Sequence, residues 1–168
     1  MKFSFLKFKT NSFLKRNTAI RTSLPYKQAL SVGVIFTVED KAKHEEVKEF
    51  VRHLEHDGKT VKVISFLPKN KDNYEFMFDF FTENDLSFWG NINSAGALQF
   101  AATPFDFLYY LDTTPNPMIM NLIAQSKAKC RVGKFWYNTE PFFELMIESR
   151  NGAKSLIESM YRYTKALR

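Results

Sequence analysis

Two loops that follow apolar strands carry the polar and aromatic side chains best suited to holding a ligand. Residues 112–116 (DTTPN) lead from one strand into a helix, so exposed backbone N–H groups there could hold an anion. Lys134 and Trp136 follow another strand, where a cation beside aromatic rings could bind a base or a sugar by stacking. The sequence thus predicts a candidate crevice lined by Asp112, Thr113, Thr114, Asn116, Lys134 and Trp136. The alternative, that the second loop is simply packed, is favoured by the usual burial of aromatic residues.

The residue types that most often bind metals or act as nucleophiles are not arranged for either task. His44, His53 and His56 lie on one predicted helix, and nothing else supplies the three or four converging ligands of a metal site. We interpret them as solvent-facing residues of a charged helix. The single cysteine, Cys130, lies in an apolar strand and is interpreted as a small buried hydrophobe rather than a nucleophile. We therefore expect no catalytic residue and no metal.

Signatures of nucleotide binding are also missing after the first strand. The chain there reads TVEDKAKHEE, without a glycine-rich phosphate loop, and it places Glu39 and Asp40 where a phosphate would lie. These two carboxylates would repel a phosphate. Gly33 stands alone within the strand and is interpreted as a position of close packing against a helix. The sequence therefore predicts no cofactor.

Positive charge is concentrated at the N-terminus. The whole chain holds 24 bases and 18 acids, and residues 1–30 contain no acid, so the remainder is close to neutral. This segment, the basic arm, carries Lys2, Lys7, Lys9, Lys15, Arg16, Arg21 and Lys27. Such an arm attracts polyanions or anionic lipid surfaces by long-range electrostatics. The alternative is a solubilising tail that binds nothing specific.

The elements that must position these residues alternate between strands and helices. Strands are predicted over 31–37, 60–67, 105–111, 129–133 and 142–148, and helices over 40–57, over 94–102 and after residues 116 and 151. Asp40, Asn116 and Asn151 are the expected helix caps. Residues 74–89 are ambiguous, with 85–89 as a short edge strand, so the strand order stays open. The alternation predicts one Rossmann-like or flavodoxin-like α/β domain, residues 31–168, with three layers and a mostly parallel sheet.

Length and composition set the class of protein. A chain of 168 residues is long enough for one domain with a real core. One cysteine excludes an internal disulfide, and the sequence lacks the run of about 18 apolar residues that a membrane helix needs. Lysines interrupt the apolar residues at the N-terminus, which argues against a secretory signal. We expect a cytoplasmic protein, with peripheral attachment to the ribosome or the inner membrane as options, and the sequence indicates no oligomeric state.

Five segments carry a resemblance to a known protein family. In chain order they are SVGVIFTVED, DLSFWG, PFDFLYYL, SKAKCRVGK and FELMIE. Their order resembles a small, functionally uncharacterised family of Bacteroidetes-type bacteria over residues 31–165, which implies a bacterial protein with a basic arm and no activity to transfer. Residues 104–134 are also similar to part of the N-terminal half of lipopolysaccharide heptosyltransferases. That resemblance implies a Rossmann-like topology, although the chain has no room for the sugar-nucleotide-binding second half.

Three functions follow as hypotheses. The leading one is a non-enzymatic α/β binding protein whose basic arm contacts an acidic partner. RNA, including the ribosome, is favoured because the bases would neutralise phosphates and aromatic rings would stack on unpaired bases. The second is a peripheral membrane protein whose arm forms an interfacial helix that buries Phe3, Leu6, Phe13 and Leu14. The third is a small nucleotide- or sugar-binding domain, related to glycosyltransferase halves, that uses the candidate crevice.

Overall fold

The computed structural model describes residues 1–71 and 78–168. Within them, six strands form one sheet in which every pair of neighbours is parallel. The strands are β1 (Ser31–Thr37), β2 (Thr60–Phe66), β3 (Asp79–Phe81), β4 (Phe107–Tyr110), β5 (Cys130–Lys134) and β6 (Leu145–Ile147). Their order in the sheet is β3-β2-β1-β4-β5-β6. The predicted Rossmann-like α/β fold is confirmed, and the strand order reverses between β1 and β4.

Helices cover both faces of the sheet. Those in the described residues are α1 (Lys2–Arg16), α2 (Lys41–His56), α3 (Ala95–Ala102), α4 (Pro117–Gln125) and α5 (Ala153–Lys165). Helices α2 and α5 enclose one hydrophobic core with the sheet, and α3 and α4 enclose the other. Because both faces of β1 are covered, its five central residues are all buried, as a strand inside a parallel sheet requires.

Polar side chains cap the N-termini of three of these helices, and the sequence predicts two of the caps, Asp40 and Asn116. The Asp40 carboxylate accepts a hydrogen bond from the backbone N–H of Lys43 at 2.8 Å. The Ser94 hydroxyl accepts one from Ala97 at 3.2 Å. Asn116 caps α4 with its side-chain oxygen, and Pro117 follows at the first helical position, where its missing N–H costs nothing.

Two predictions of local structure were wrong. Residues 85–89 do not form the edge strand, which is β3. Asp85 instead ends the short 3-10 helix Glu83–Asp85, and its carboxylate accepts from the backbone N–H of the cap residue Thr82 at 2.8 Å, so the chain turns there. Asn151 does not cap α5, because the cap position falls on Gly152, one residue later. The ambiguous stretch from residue 74 to residue 77 lies outside the described residues.

Helix α4 is buried on all sides. Every residue from 118 to 124 is buried, although only one side of the helix faces the sheet. A helix that is apolar all round must also be covered on its outer side, and α1 provides that cover. Leu6 is 1% exposed within the same core, and the Asn121 side chain donates to the Thr10 hydroxyl at 2.9 Å. Helix α1, the first half of the basic arm, is therefore an outer layer over α4.

The second half of the basic arm, residues 17–30, is fixed at both ends. At its start, Asn17 Nδ2 donates to two backbone carbonyls at the C-terminus of α4, both at 2.9 Å, where carbonyls lack helical partners. At its end, the Asp106 carboxylate accepts from the backbone N–H of Leu30 at 2.8 Å and of Ser31 at 3.1 Å. The basic arm therefore leads into β1 along a path that hydrogen bonds define.

Asp57, which follows α2, joins the basic arm to α5. Its carboxylate accepts hydrogen bonds from the Tyr26 hydroxyl at 2.6 Å and the Tyr161 hydroxyl at 2.5 Å. Burial raises the pKa of Asp57, but the two hydrogen bonds and the positive charge of Lys165 outweigh burial and hold the pKa below its ordinary value. The ionised carboxylate therefore stabilises the folded protein.

The docking of α1 on α4 can be tested at Leu6. We expect Leu6→Ala to lower the free energy of unfolding by about 2–5 kcal/mol, because it leaves a cavity between the two helices. Urea denaturation followed by circular dichroism measures this change. Phe8→Ala, on the exposed side of the same helix, is the matched control and should change stability by no more than about 0.5 kcal/mol. Equal effects of the two substitutions would contradict the docked position of α1.

The role of Asp57 can be tested through the pH dependence of unfolding. Because its pKa is depressed in the folded state, its contribution is present above the unfolded value of about 3.9 and is lost as the pH falls through the folded value. Asp57→Asn should therefore take up fewer protons than wild type on unfolding at pH values between the folded and the unfolded pKa of Asp57. The variant Tyr26→Phe/Tyr161→Phe keeps the carboxylate but removes both hydrogen-bond donors. Its free energy of unfolding should also depend less on pH in acid than that of wild type. A wild-type pH profile in both variants would refute this assignment.

Candidate functional site

The carboxyl ends of β1 and β4, where the strand order reverses, are the usual place for a ligand in an open α/β sheet. A buried ion pair occupies this position. Lys43, in the first turn of α2, places its Nζ 2.6 Å from Asp112 Oδ1, and the two side chains are 4% and 3% exposed. The position that commonly holds a cofactor is therefore filled by two side chains of the protein itself.

Both members of this ion pair have further partners. The Asp112 carboxylate also accepts from the backbone N–H of Thr37 at 2.8 Å and from its hydroxyl at 2.6 Å. Lys43 Nζ donates to the Thr37 carbonyl at 2.8 Å and pairs with Glu39. The desolvation of two buried charges offsets most of the free energy gained from their attraction. Such a network therefore adds little stability and mainly fixes the relative positions of β1, α2 and β4. A lysine engaged in this way is poorly placed to act as a base or nucleophile.

Five of the six residues of the candidate crevice are connected in two groups, one by direct hydrogen bonds and the other through Thr37. Lys134 Nζ and Trp136 Nε1 both donate to the Thr113 carbonyl, at 3.1 and 3.0 Å. Asn116 Nδ2 donates to the Thr37 hydroxyl, at 3.1 Å, which in turn bonds to Asp112.

The remaining crevice features are already used in packing and capping. Trp136 lies 5.5 Å from the ring of Tyr110, in agreement with the packed interpretation of this loop. The Asn116 side chain accepts from two amides at the start of α4, at 3.0 and 3.3 Å, so an anion there would have to displace it. Thr114 is exposed. A ligand-binding role of the crevice stays a prediction.

The histidines and the cysteine have the surroundings of structural residues. His53 and His56 are exposed, but the prediction of a solvent-facing His44 was wrong. Its ring is buried against Phe36, because the turn of α2 that carries Lys43 inward carries His44 inward as well. Burial raises the pKa of the Cys130 thiol, which lies inside β5 as expected. Within residues 1–71 and 78–168, no three His, Cys, Asp or Glu side chains come together as metal ligands would.

The bases of the arm divide into those that hold the structure and those that face solvent. Arg21 donates to a backbone carbonyl, that of Ala128, at 2.5 Å, and burial together with the charge of Arg131 lowers its pKa. Lys9 donates to the Asn91 side chain. The solvent-facing bases are Lys7, Lys15, Arg16 and Lys27. The first three of these lie on α1 and project away from α4.

The segments at the surface around α1 carry several bases and no acid of their own, and Lys129 pairs with the neighbouring Asp106 at 3.0 Å. We define the cationic face as the outer surface of α1 with residues 86–105 and 126–129. These segments contain no Asp or Glu, and their bases are Lys2, Lys7, Lys9, Lys15, Arg16, Lys127 and Lys129. An open groove of about 350 Å³ lies at one end of this face, and Asn17, Pro104, Lys127 and Lys129 are among the residues that line it. Helix α2, on the opposite side of the sheet, carries four glutamates beside three lysines and one arginine.

Aromatic rings lie at the other end of the cationic face. The rings of Phe5, Phe88 and Trp89 are in contact, and Phe8 lies one turn along α1 from Phe5; we call these four residues the aromatic patch. Trp89 does not close the core, since it is 61% exposed, and Phe88 and Phe8 are 54% and 72% exposed. The local sequence gives no sign that Trp89 meets α1. The three-residue spacing of Phe5 and Phe8 puts both rings on one side of α1, but it does not indicate which residues they meet.

The buried ion pair predicts a strong effect at Asp112. Asp112→Ala removes one partner and leaves Lys43 in the core with fewer acceptors, so the free energy of unfolding should fall by about 3–5 kcal/mol. Chemical denaturation measures the loss. Thr114→Ala, in the same loop but exposed, should stay within about 0.5 kcal/mol of wild type. A mild effect at Asp112 would mean that its carboxylate is solvated and free for a ligand.

Comparisons with known proteins identify the family but no activity. No helix in the described residues is long and apolar enough to cross a bilayer. No curated protein and no solved structure matches the chain. A family model described as a family of unknown function, DUF6913, matches residues 2–167, which include the basic arm as well as the sheet. The expectation of an uncharacterised family is thus confirmed, and the chain belongs to the DUF6913 family of unknown function.

Proposed function

We propose that this protein is a non-enzymatic binding protein whose cationic face contacts RNA. The single observation that supports this proposal is the exposure of several bases on a surface whose segments hold no acid. Phosphates of a nucleic acid are neutralised by such bases, and the release of their counterions drives binding. A cytoplasmic RNA, the ribosome included, is the partner that we propose.

The fixed position of α1 supports binding by this face. Lys7, Lys15 and Arg16 stand on a helix whose other side packs against α4 through Leu6 and Thr10. A binding surface that is already ordered loses less conformational entropy on association than a free tail does. The bases therefore offer phosphates a defined geometry, which a solubilising tail would not.

The same docking favours RNA over a membrane as the partner. An interfacial helix places its apolar side in lipid. In α1, Leu6 is buried inside the protein, and Phe13 and Leu14 are half-buried. Three of the four side chains that a lipid-bound helix would bury therefore have protein contacts or partial cover already. What remains outermost on α1 is chiefly polar and basic, with Phe3 and Phe8 as the exceptions.

The proposal predicts a face-specific salt dependence of RNA binding. The probe is a fluorescein-labelled oligouridylate, and the measurement is fluorescence anisotropy across a series of salt concentrations. Each lost phosphate contact reduces the slope of log K against log salt by about 0.7 for single strands, so Lys7→Gln/Lys15→Gln/Arg16→Gln should reduce it by about 2. Affinity at low salt should fall as well.

A variant with the same change in net charge is the control. Lys41→Gln/Lys154→Gln/Arg162→Gln removes three exposed bases from α2 and α5, on the opposite side of the sheet. Its slope should equal that of wild type. Equal slopes in the two triple variants, or no binding of the oligonucleotide by wild type, would overturn the proposal. Binding to phosphatidylserine vesicles without binding to RNA would replace it with the membrane hypothesis.

A further inference from the structure

We infer that the aromatic patch is a base-stacking subsite, so that the RNA bound by the cationic face is unpaired where it meets Phe5, Phe8, Phe88 and Trp89. This inference rests on the proposed function and adds the class of RNA to it. Three features of the patch support it: its construction, the exposure of its rings and the charge around it.

The patch is built from two elements that are fixed against each other. Phe5 of α1 lies 5.3 Å from the Trp89 ring and 6.0 Å from the Phe88 ring, and the latter two rings are 5.1 Å apart. Gly90 follows with φ +80°, and a Cβ there would lie 2.5 Å from the backbone nitrogen of Leu6. Only glycine permits both this conformation and this close approach of the turn to α1.

The turn that carries Phe88 and Trp89 is rigid, so their exposure belongs to the folded state. Ser87 donates its backbone N–H to the Asn91 carbonyl at 2.9 Å, and its own carbonyl accepts from Gly90 at 3.0 Å. On either side, Leu86 and Ile92 are buried in the core at 5% exposure each. With its base anchored in this way, the turn holds two large rings outward. Contiguous exposed aromatic surface of this kind marks a binding site more often than a chance arrangement.

The charge around the patch fits a nucleic acid. Residues 86–105 contain no charged side chain at all. The cations at the edge of the patch come from α1, where Lys9 donates to the Asn91 side chain and Lys2 stands one turn before Phe5. Exposed rings flanked by cations and free of acids are what single-stranded nucleic acids require, because bases stack on the rings while phosphates contact the cations. Paired bases have no open face to offer, so a duplex would gain nothing from the patch.

The test separates stacking from phosphate contact. Trp89→Ala and Phe8→Ala should each weaken oligouridylate binding about ten-fold in the full-length protein. The salt slope should stay at the wild-type value, because no phosphate contact is lost. Binding of a duplex RNA should not change. Phe135→Ala/Tyr137→Ala removes two exposed aromatic rings from another loop and should bind both RNAs as wild type does.

Tryptophan fluorescence gives an independent measurement. In a Trp136→Phe background Trp89 is the single tryptophan, and stacking of a base on it should quench its emission as oligouridylate is added. If the protein binds RNA with a steep salt slope but Trp89→Ala has no effect and no quenching occurs, the subsite is refuted and the proposed function stands. If wild type binds no RNA, both fail. If Trp89→Ala abolishes binding to anionic vesicles while RNA binding is unchanged, the patch is a lipid anchor and the inference is overturned.

Discussion

The burial of α4 on every side is the constraint from which the arrangement of the functional surface follows. The sequence PMIMNLIAQ offers the sheet more apolar surface than one side of a helix can bury. A second layer must therefore cover it, and α1 does so with Leu6 in the core and Thr10 beside Asn121. Helix α1 is rich in lysine. When it packs on α4, it therefore holds several cations at a fixed place on the surface.

The buried ion pair at the strand reversal fills the usual ligand site of this fold. Lys43 and Asp112 occupy the place where many Rossmann-like proteins hold a phosphate, and each has several further hydrogen-bond partners. A ligand would have to replace contacts in which both charges are already satisfied. Adding it would leave one charge buried without its partner, which is costly. In this protein the strand reversal is therefore occupied by its own charged side chains.

The sequence predicts five of the six strands in the described residues and the caps of α2 and α4, because those features are local. Apolar runs and helix caps such as Asp40 and Asn116 can be recognised from a few neighbouring residues, without the rest of the chain. The errors come from contacts between distant residues. His44 is buried because of how α2 meets β1, and Lys43 becomes an ion-pair member only when β4 brings Asp112 to it. The aromatic patch combines residues more than eighty positions apart, and no local spacing reports such a meeting.

The same contacts decide how the basic arm can be studied. Removing residues 1–30 would take away its bases, but it would also remove Tyr26 and Ala29, which belong to the core on the opposite face of the sheet. Lys59 Nζ, which donates to the carbonyls of both residues at 2.5 and 2.6 Å, would lose these acceptors while buried. Loss of binding after truncation would therefore mix unfolding with loss of charge. Substitution of solvent-facing bases one by one keeps the fold and changes only the surface, so the function of the arm has to be assigned from charge variants rather than from deletion.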